Sequence, residues 1–163
     1  METFIVDAYN LMHKIPELKK LLSEEQDIIV DTLIAKIQNH FYHSRNKVIL
    51  VFDGHGKNKI SRNIEARFAS TDITHTYDNA DQLIRAIIDR SRNKKLLNVI
   101  SSDNEIKWYA GDSGCNVISS GSFWNELKRK RIHRESLIRE SNEKPQVVTK
   151  GEVEYLLKQF TKK

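Results

Sequence analysis

The sequence predicts an α/β protein in which a mostly parallel sheet is flanked by helices, giving three layers. Short apolar runs alternate along the chain with longer stretches of helical period. The run KVILVFDG (47–54) is almost wholly apolar, as expected of a central parallel strand that is covered on both faces. Because helices separate the strands, successive strands are expected to lie parallel in one sheet.

Five segments are predicted to be strands, since they are short, apolar and rich in β-branched residues. The third of them alternates like a half-exposed strand at the edge of the sheet, and a basic loop, GHGKNK (54–59), precedes it. In chain order the strands are TFIVD (3–7), KVILVFDG (47–54), IEARFAS (64–70), LLNVISSD (96–103) and CNVIS (115–119).

Helices are predicted between these strands. Residues 9–22 have a helical pattern that Pro16 interrupts, and residues 29–41 carry an apolar stripe at helical spacing. Leu83, Ile84, Ile87 and Ile88 indicate a further helix, and a short helix carrying Trp108 follows the fourth strand.

One domain is predicted over residues 1–163, because 163 residues with 39% hydrophobic content can bury one substantial core. Two helices are expected near its end: a basic helix over about 122–140 and a C-terminal docking helix over about 149–161, the second marked by the apolar spacing of TKGEVEYLLKQF.

Composition argues against secreted and membrane classes of protein. The single cysteine, Cys115, excludes an intrachain disulfide framework. No apolar run approaches the roughly 20 residues that cross a bilayer, and the first residues lack the pattern of a signal peptide. We therefore expect a soluble, cytoplasmic protein with no membrane partner.

Three apolar strands end on an aspartate: Asp7, Asp53 and Asp103. The carboxyl ends of parallel strands meet at one edge of a sheet, where ligands bind, so these side chains are expected to converge there. Asp81 is a fourth candidate at the start of the following helix. Gathered carboxylates repel one another unless a cation lies among them, and Mg²⁺ or Mn²⁺ takes oxygen ligands. In a chain of net charge +5, such a site fits hydrolysis of a phosphodiester.

The aspartates also have structural explanations, and Asp7 is the hardest to explain in this way, because a carboxylate at the end of a central strand is costly unless something binds it. Asp53 with Gly54 is a common turn pair. Ser102 with Glu105 fits a capping box, so Asp103 could serve only a helix N-terminus. Asp78 with Asp81 has the spacing of a cap and a first-turn acid. Their recurrence at strand ends favours the functional interpretation.

The segments IVDAYNLMH, VILVFDG, NADQLI and VISSDNEIKWYA occur in the order and spacing of the NYN group of PIN-like nucleases. The closest resemblance is to its YacP-like bacterial branch, and it covers essentially the whole chain. The resemblance implies a PIN-like α/β fold and a metal-dependent endoribonuclease. It places catalytic roles on Asp7, Asp53, Asp81 and Asp103, with Asn10 as an orienting residue. Of these, Asp7, Asp81 and Asp103 are the expected ligands of Mg²⁺ or Mn²⁺.

Three positions depart from the pattern of that branch. Ala8 replaces a glycine where the backbone is expected to bend, Asn79 replaces a threonine, and Gln82 replaces an acid. If that acid is a metal ligand in relatives, metal affinity here is lowered or the geometry altered.

RNA is the expected partner of the basic surface, and the resemblance adds the ribosome. Phosphate neutralisation supplies most nonspecific RNA affinity, whereas a basic run that meets no RNA is simply a solvated helix face. Trp108 and Trp124 fall at helical positions and are expected in the core, with base stacking as the alternative. The predicted RNA contacts are Lys57, Lys59, Lys128, Arg129, Lys130, Arg131 and Arg134.

The leading hypothesis is therefore a metal-dependent endoribonuclease. The alternative is a catalytically impaired RNA- or ribosome-binding module of the same fold, which Ala8 and Gln82 favour. A receiver-like phosphoacceptor domain requires a second acid beside the aspartate of the first strand, and this chain has none there. No G-x-G-x-x-G motif follows the first strand, so no nucleotide cofactor is indicated.

Overall fold

A computed structural model describes residues 1–19, 26–41, 44–71 and 76–143 of the chain. The prediction of a three-layer α/β fold with a mostly parallel sheet is confirmed. The strands are β1 (Thr3–Asp7), β2 (Lys47–Phe52), β3 (Lys59–Ser61), β4 (Ile64–Phe68), β5 (Leu97–Ile100) and β6 (Asn116–Ile118). The α-helices are α1 (Ala8–Met12), α2 (Pro16–Lys19), α3 (Gln26–Phe41), α4 (Ala80–Arg90), α5 (Asn104–Asp112) and α6 (Ser120–Glu143).

The sheet has the strand order β3-β4-β2-β1-β5-β6. β1 lies between β2 and β5 and runs parallel to both, with Ile5 opposite Ile49 and Val99. Among the strands of the described residues, β3 and β4 form the one antiparallel pair. The chain therefore places its first strand in the centre and builds outwards from it in both directions.

The core lies in two halves, one on each face of the sheet. Successive residues of a strand point to opposite faces, so Ile5 packs with α4 and α5 while Val6 packs with α1, α3 and the first turns of α6. This two-sided burial explains why β2 reads as a continuous apolar run: all residues from Val48 to Phe52 are buried.

The prediction for the third strand was wrong in two respects. First, β4 is not half-exposed, since four of its five residues are buried. Second, β4 is not an edge strand, because β2 pairs with one side of it and β3 with the other. The basic loop ends in β3, which supplies the edge, and Arg62 forms the connecting turn with a φ of 55°. Short local patterns do not reveal a three-residue strand, because none of its side chains is buried.

Glu65 is the buried charge of β4, and two cations neutralise it. Lys47 Nζ lies 2.8 Å from one carboxylate oxygen and Arg67 Nε lies 2.7 Å from the other. Burial alone would raise the pKa of Glu65, but these two bonds bring the pKa below its usual 4.5. An acid at this position is therefore compatible with a buried strand.

The chain divides into two compact units, Met1–Arg131 and Ile132–Lys163. The first contains the whole sheet. Of the second, the described residues 132–143 are helical. The predicted docking helix at about 149–161 lies outside the described residues, and a single domain over 1–163 stays a prediction. None of the helices in the described ranges combines the length and apolar character that a membrane span requires.

Candidate active site at the carboxyl edge of the sheet

Three of the predicted aspartates lie where neighbouring strands β2, β1 and β5 end. Asp7 is the last residue of β1, Asp53 directly follows β2, and Asp103 follows β5 and precedes α5. The strand order runs outwards in both directions from β1. Ligand sites in open parallel sheets usually lie at the carboxyl ends of the strands beside such a point.

Asp7 is buried, with 5% of its surface exposed, and three donors hold its carboxylate. The Asn10 backbone N–H donates to Oδ1 at 3.0 Å, and the Asn10 side-chain amide donates to Oδ2 at 2.6 Å. The Ser101 hydroxyl donates to Oδ2 at 3.1 Å. Burial raises the pKa of Asp7 above its usual 3.8, these bonds oppose the rise, and the charge of Asp53 adds to it. Asn10 thus lies where an orienting residue is expected.

Ser101 is a site residue that sequence reasoning missed. It is fully buried, and its hydroxyl also accepts the Asp103 backbone N–H at 3.0 Å. One hydroxyl therefore joins the ends of β1 and β5. The only sequence signal for Ser101 is its place in ISSD, where the capping-box pattern indicates Ser102.

Asp103, rather than Ser102, is the N-cap of α5. Its Oδ1 accepts the backbone N–H groups of Glu105 at 2.8 Å and Ile106 at 3.1 Å. The capping interpretation of this acid therefore holds, with the cap one residue later than the sequence indicated. Capping and site membership are compatible here, because both bonds go to the same carboxylate oxygen.

Asp53 and Asp81 are linked through the start of α4. The Asp53 carboxylate accepts the backbone N–H of Ala80, the residue before Asp81. Gly54 has a φ of 74°, so the turn interpretation of Asp53-Gly54 also holds. Burial raises the pKa of Asp81, and the charges of Asp7, Asp103 and Asp53 raise it further. The four aspartates therefore form one electrostatic cluster.

The cluster is not arranged as a finished metal site. Among the described residues, no three Asp, Glu, His or Cys side chains are grouped so that they could hold one ion. Hydrogen bonds instead join Asp7 to Asn10 and Ser101, Asp53 to the start of α4, and Asp103 to the start of α5. The donor set nevertheless fits Mg²⁺ or Mn²⁺, since it consists of carboxylates whose mutual repulsion a cation would relieve.

The three departures from the expected motifs each have a local structural role. Ala8 begins α1, is fully buried and does not need a positive φ, so its methyl group causes no backbone strain. Asn79 is the N-cap of α4 and accepts the Gln82 backbone N–H at 2.9 Å. The Gln82 side chain pairs with Asp78, donating to its carboxylate at 3.0 Å.

The basic residues near β2 divide into two kinds. Lys57 is exposed in the loop after β2. Lys59 Nζ lies 2.9 Å from Asp31 and 3.1 Å from Asp27, so two acids of α3 compensate its charge. The compensation argues against Lys59 as a phosphate contact.

The basic helix observed is α6. Lys128, Arg129, Lys130 and Arg131 are exposed on it, and Lys130 Nζ lies 3.0 Å from Glu126 one turn earlier. Arg134 belongs to the helix, but its side chain lies outside the described part of the structure.

The two tryptophans differ. Trp124 is 8% exposed and packs in the core with Phe123 and Leu127, as predicted. The prediction for Trp108 was wrong: 71% of its surface is exposed on α5. Helical spacing alone could not distinguish the buried face of α5 from its solvent face.

Comparison with known proteins places the chain in a family. A YacP-like NYN domain matches residues 4–162. The uncharacterized protein YacP of Bacillus subtilis (strain 168) is 27% identical over 142 residues, which are 82% of this chain and 81% of that protein. A crystal structure of Rae1 (YacP) from Bacillus subtilis is 25% identical with a TM-score of 0.69, and the match covers 98% of this chain and 92% of that one.

A crystal structure of a single-substitution variant of Rae1 (YacP) has a TM-score of 0.70 at 24% identity, over 90% of this chain and 86% of the other. At this identity the likeness shows the fold alone. The family match spans nearly the whole chain, and the chain therefore belongs to the YacP-like NYN domain family, a family of ribonuclease type.

Proposed function

We propose that this protein is an endoribonuclease that hydrolyses RNA phosphodiesters with Mg²⁺ or Mn²⁺ held at the aspartate cluster. The observation that carries the proposal is the environment of Asp81, whose pKa is raised by burial and then by three neighbouring aspartates. Four neighbouring carboxylates at the carboxyl edge of the sheet repel one another unless a cation neutralises them, so their presence favours a metal-binding role.

Asp7, Asp81 and Asp103 are the proposed ligands. A divalent ion bound to them supplies a Lewis acid for the phosphate oxygens and an acidified water as nucleophile. The remaining residues act as supports. Asn10 and Ser101 fix the two oxygens of Asp7. Asp53 holds the first turn of α4 through Ala80 and so positions Asp81.

The RNA backbone is proposed to contact Lys57 and the exposed cations of α6, Lys128 to Arg131. Arg134 extends this set on sequence grounds. Lys59 is left out of it because two acids, Asp27 and Asp31, compensate its charge, whereas Lys130 is kept because it has one acid, Glu126, beside it. The ribosome as partner and a cytoplasmic location are further parts of the proposal. Their support is the resemblance, together with a basic helix suited to a surface rich in phosphates.

The test is cleavage of end-labelled RNA by the purified protein with Mn²⁺, with Mg²⁺ and with EDTA. Asp7→Asn and Asp103→Asn are expected to abolish cleavage. Asp112→Asn is the matched control, since it removes one exposed carboxylate from the far end of α5. Cleavage that survives EDTA, or both substitutions in the cluster, would refute the proposal.

A second candidate is an RNA- or ribosome-binding module whose catalytic site is impaired. It is favoured by Gln82, which pairs with Asp78 where relatives carry an acid, and by the lack of three suitably grouped ligands within the described residues. Calorimetry separates the two candidates. Salt-dependent RNA binding without Mn²⁺ binding supports the module, whereas Mn²⁺ binding that Asp81→Asn removes supports the nuclease.

A further inference from the structure

A groove with a cavity volume of about 420 Å³ opens between α4 and α5, on the face of the sheet opposite α3. We call it the α4–α5 groove. Its most unusual feature is Trp108, because a large aromatic side chain that is 71% exposed leaves apolar surface in water without a structural benefit. Its lining residues are Arg85, Asn104, Glu105, Trp108 and Tyr109.

The neighbours of Trp108 make the groove suited to a planar polar ligand. The Arg85 guanidinium lies 5.0 Å from the centre of the Tyr109 ring, and its Nη2 lies 3.4 Å from Glu105 Oε2. The Tyr109 hydroxyl donates to Asp89 at 2.6 Å, which fixes the ring at its outer end. Aromatic rings and a guanidinium plane stack on nucleobases, and carboxylate and amide groups bond to base edges.

The groove lies beside the aspartate cluster on both helices. Asp81 and Arg85 are four residues apart on α4, so they lie on the same helix face one turn apart. On α5, Asp103 is the N-cap, Asn104 is the next residue, and Trp108 lies one turn after Asn104. On α4, one helical turn of about 5.4 Å therefore separates the cluster from the groove, and on α5 the groove begins at the residue after Asp103.

We infer that the α4–α5 groove binds an unpaired RNA base that flanks the scissile phosphate, with Trp108 as its stacking platform. The inference rests on the proposed function, because the position of the groove has this meaning only if the cluster holds the reacting phosphate. It adds a base contact to a site whose other RNA contacts are cations, which recognise phosphates. The groove lies on the α4–α5 face of the sheet and the first turns of α6 pack on the other, so bound RNA crosses the sheet edge at the aspartates.

The test is a binding cycle between Trp108 and the base, measured with single-stranded oligoribonucleotides in EDTA so that no metal-dependent cleavage occurs. A scan of single abasic sites along the oligonucleotide is expected to find one position at which wild-type affinity falls about fivefold or more. Trp108→Ala is expected to bind intact RNA about as weakly as the wild type binds the RNA with that abasic site. On the abasic RNA, the substitution is expected to cause no further loss of affinity. Trp108→Phe, which keeps a ring, is expected to restore most of the affinity.

Ile60→Ala is the matched control, since it truncates a side chain that is 75% exposed on β3, the outermost strand on the side of the sheet away from β5 and β6. It is expected to bind intact and abasic RNA as the wild type does. Mapping of the cleaved bond then locates the sensitive base, which is expected to flank it directly.

Three outcomes overturn the inference: unchanged RNA affinity in Trp108→Ala, equal losses on intact and abasic RNA, or a sensitive base distant from the cleaved bond. The first is also the result expected if the groove binds a protein. Failure of the proposed function would be seen in the cleavage assay, as cleavage that persists without metal or without the aspartates. The RNA-binding measurements in EDTA do not depend on cleavage, so they test the groove in either case.

Discussion

The contact between Asn10 and Asp7 supports the most direct test of the site. The Asn10 side chain donates to Oδ2 of a carboxylate that is 5% exposed, and Asn10→Ala removes this bond while it keeps the backbone N–H bond to Oδ1. A hydrogen bond to a charged group contributes about 1.5–3 kcal/mol to the free energy of unfolding. For a chain of this length that loss lowers Tm by roughly 3–12 °C.

The pH dependence of this loss follows from which form of Asp7 the bond favours. The bond stabilises the ionised carboxylate, so its removal raises the pKa of Asp7 further above 3.8. The loss of stability is therefore full at neutral pH and shrinks as the pH falls through the raised pKa, where both proteins carry a protonated Asp7. RNA cleavage by Asn10→Ala is expected to fall as well, because Asp7 loses its orientation.

The assay is urea unfolding at about pH 7 and about pH 3, the second of which lies below the usual pKa of an aspartate and therefore below the raised pKa of Asp7. Asn116→Ala serves as control, since its side-chain amide donates to the neutral Lys95 carbonyl at 3.1 Å on the surface. The loss of stability in Asn116→Ala is expected to be smaller than in Asn10→Ala and to be the same at both pH values. A loss in Asn10→Ala that is equal at both pH values, or no larger than that of the control, would refute the reasoning.

Three further predictions concern metal, charge and RNA. Mn²⁺ affinity, measured by calorimetry, is expected to fall as the pH drops through the raised pKa values of Asp7 and Asp81, above the usual 3.8, because protons compete for the ligands; affinity that is constant down to that pH would contradict this. Glu65→Gln is expected to lower the free energy of unfolding by roughly 1.5–3 kcal/mol at neutral pH, since two cations bond to the carboxylate. Because the pKa of Glu65 is held below 4.5, this contribution is full above pH 4.5 and is lost as the pH falls through the lower, folded-state pKa; a deficit that persists in acid would argue against the ion pairs. Arg129→Gln is expected to weaken RNA binding and to reduce the slope of log K against log salt by about 0.7, whereas Lys59→Gln leaves that slope unchanged because Asp27 and Asp31 already compensate it.

Much of the fold could be predicted because its signals are local. Alternation of apolar runs with helical stretches indicates strands and helices in turn, and a continuous apolar run indicates a strand covered on both faces. The prediction failed at β3 and at the position of β4 in the sheet, since pairing of β4 with a three-residue strand depends on a turn at Arg62 that leaves little pattern in the sequence.

The candidate site was predictable only in part, for a related reason. A carboxylate at the end of an apolar strand is visible in the sequence at Asp7, Asp53 and Asp103. Their partners are not, because Ser101 meets Asp7 from 94 positions away. Similarly, the pairing of Lys59 with Asp31 spans 28 positions, and this surface ion pair argues against Lys59 as a phosphate contact.

By itself, the sequence determined the fold class, the family and the residue types that can carry the chemistry, since these depend on local pattern and on motifs in register. The tertiary structure decided which of those residues meet, because strand order and helix facing are set by packing across the whole core. It placed β1 between β2 and β5, which brings the aspartates together, and it turned Trp108 outwards beside them. Periodicity gives the faces of a helix, but only the neighbours of that helix determine which face meets water.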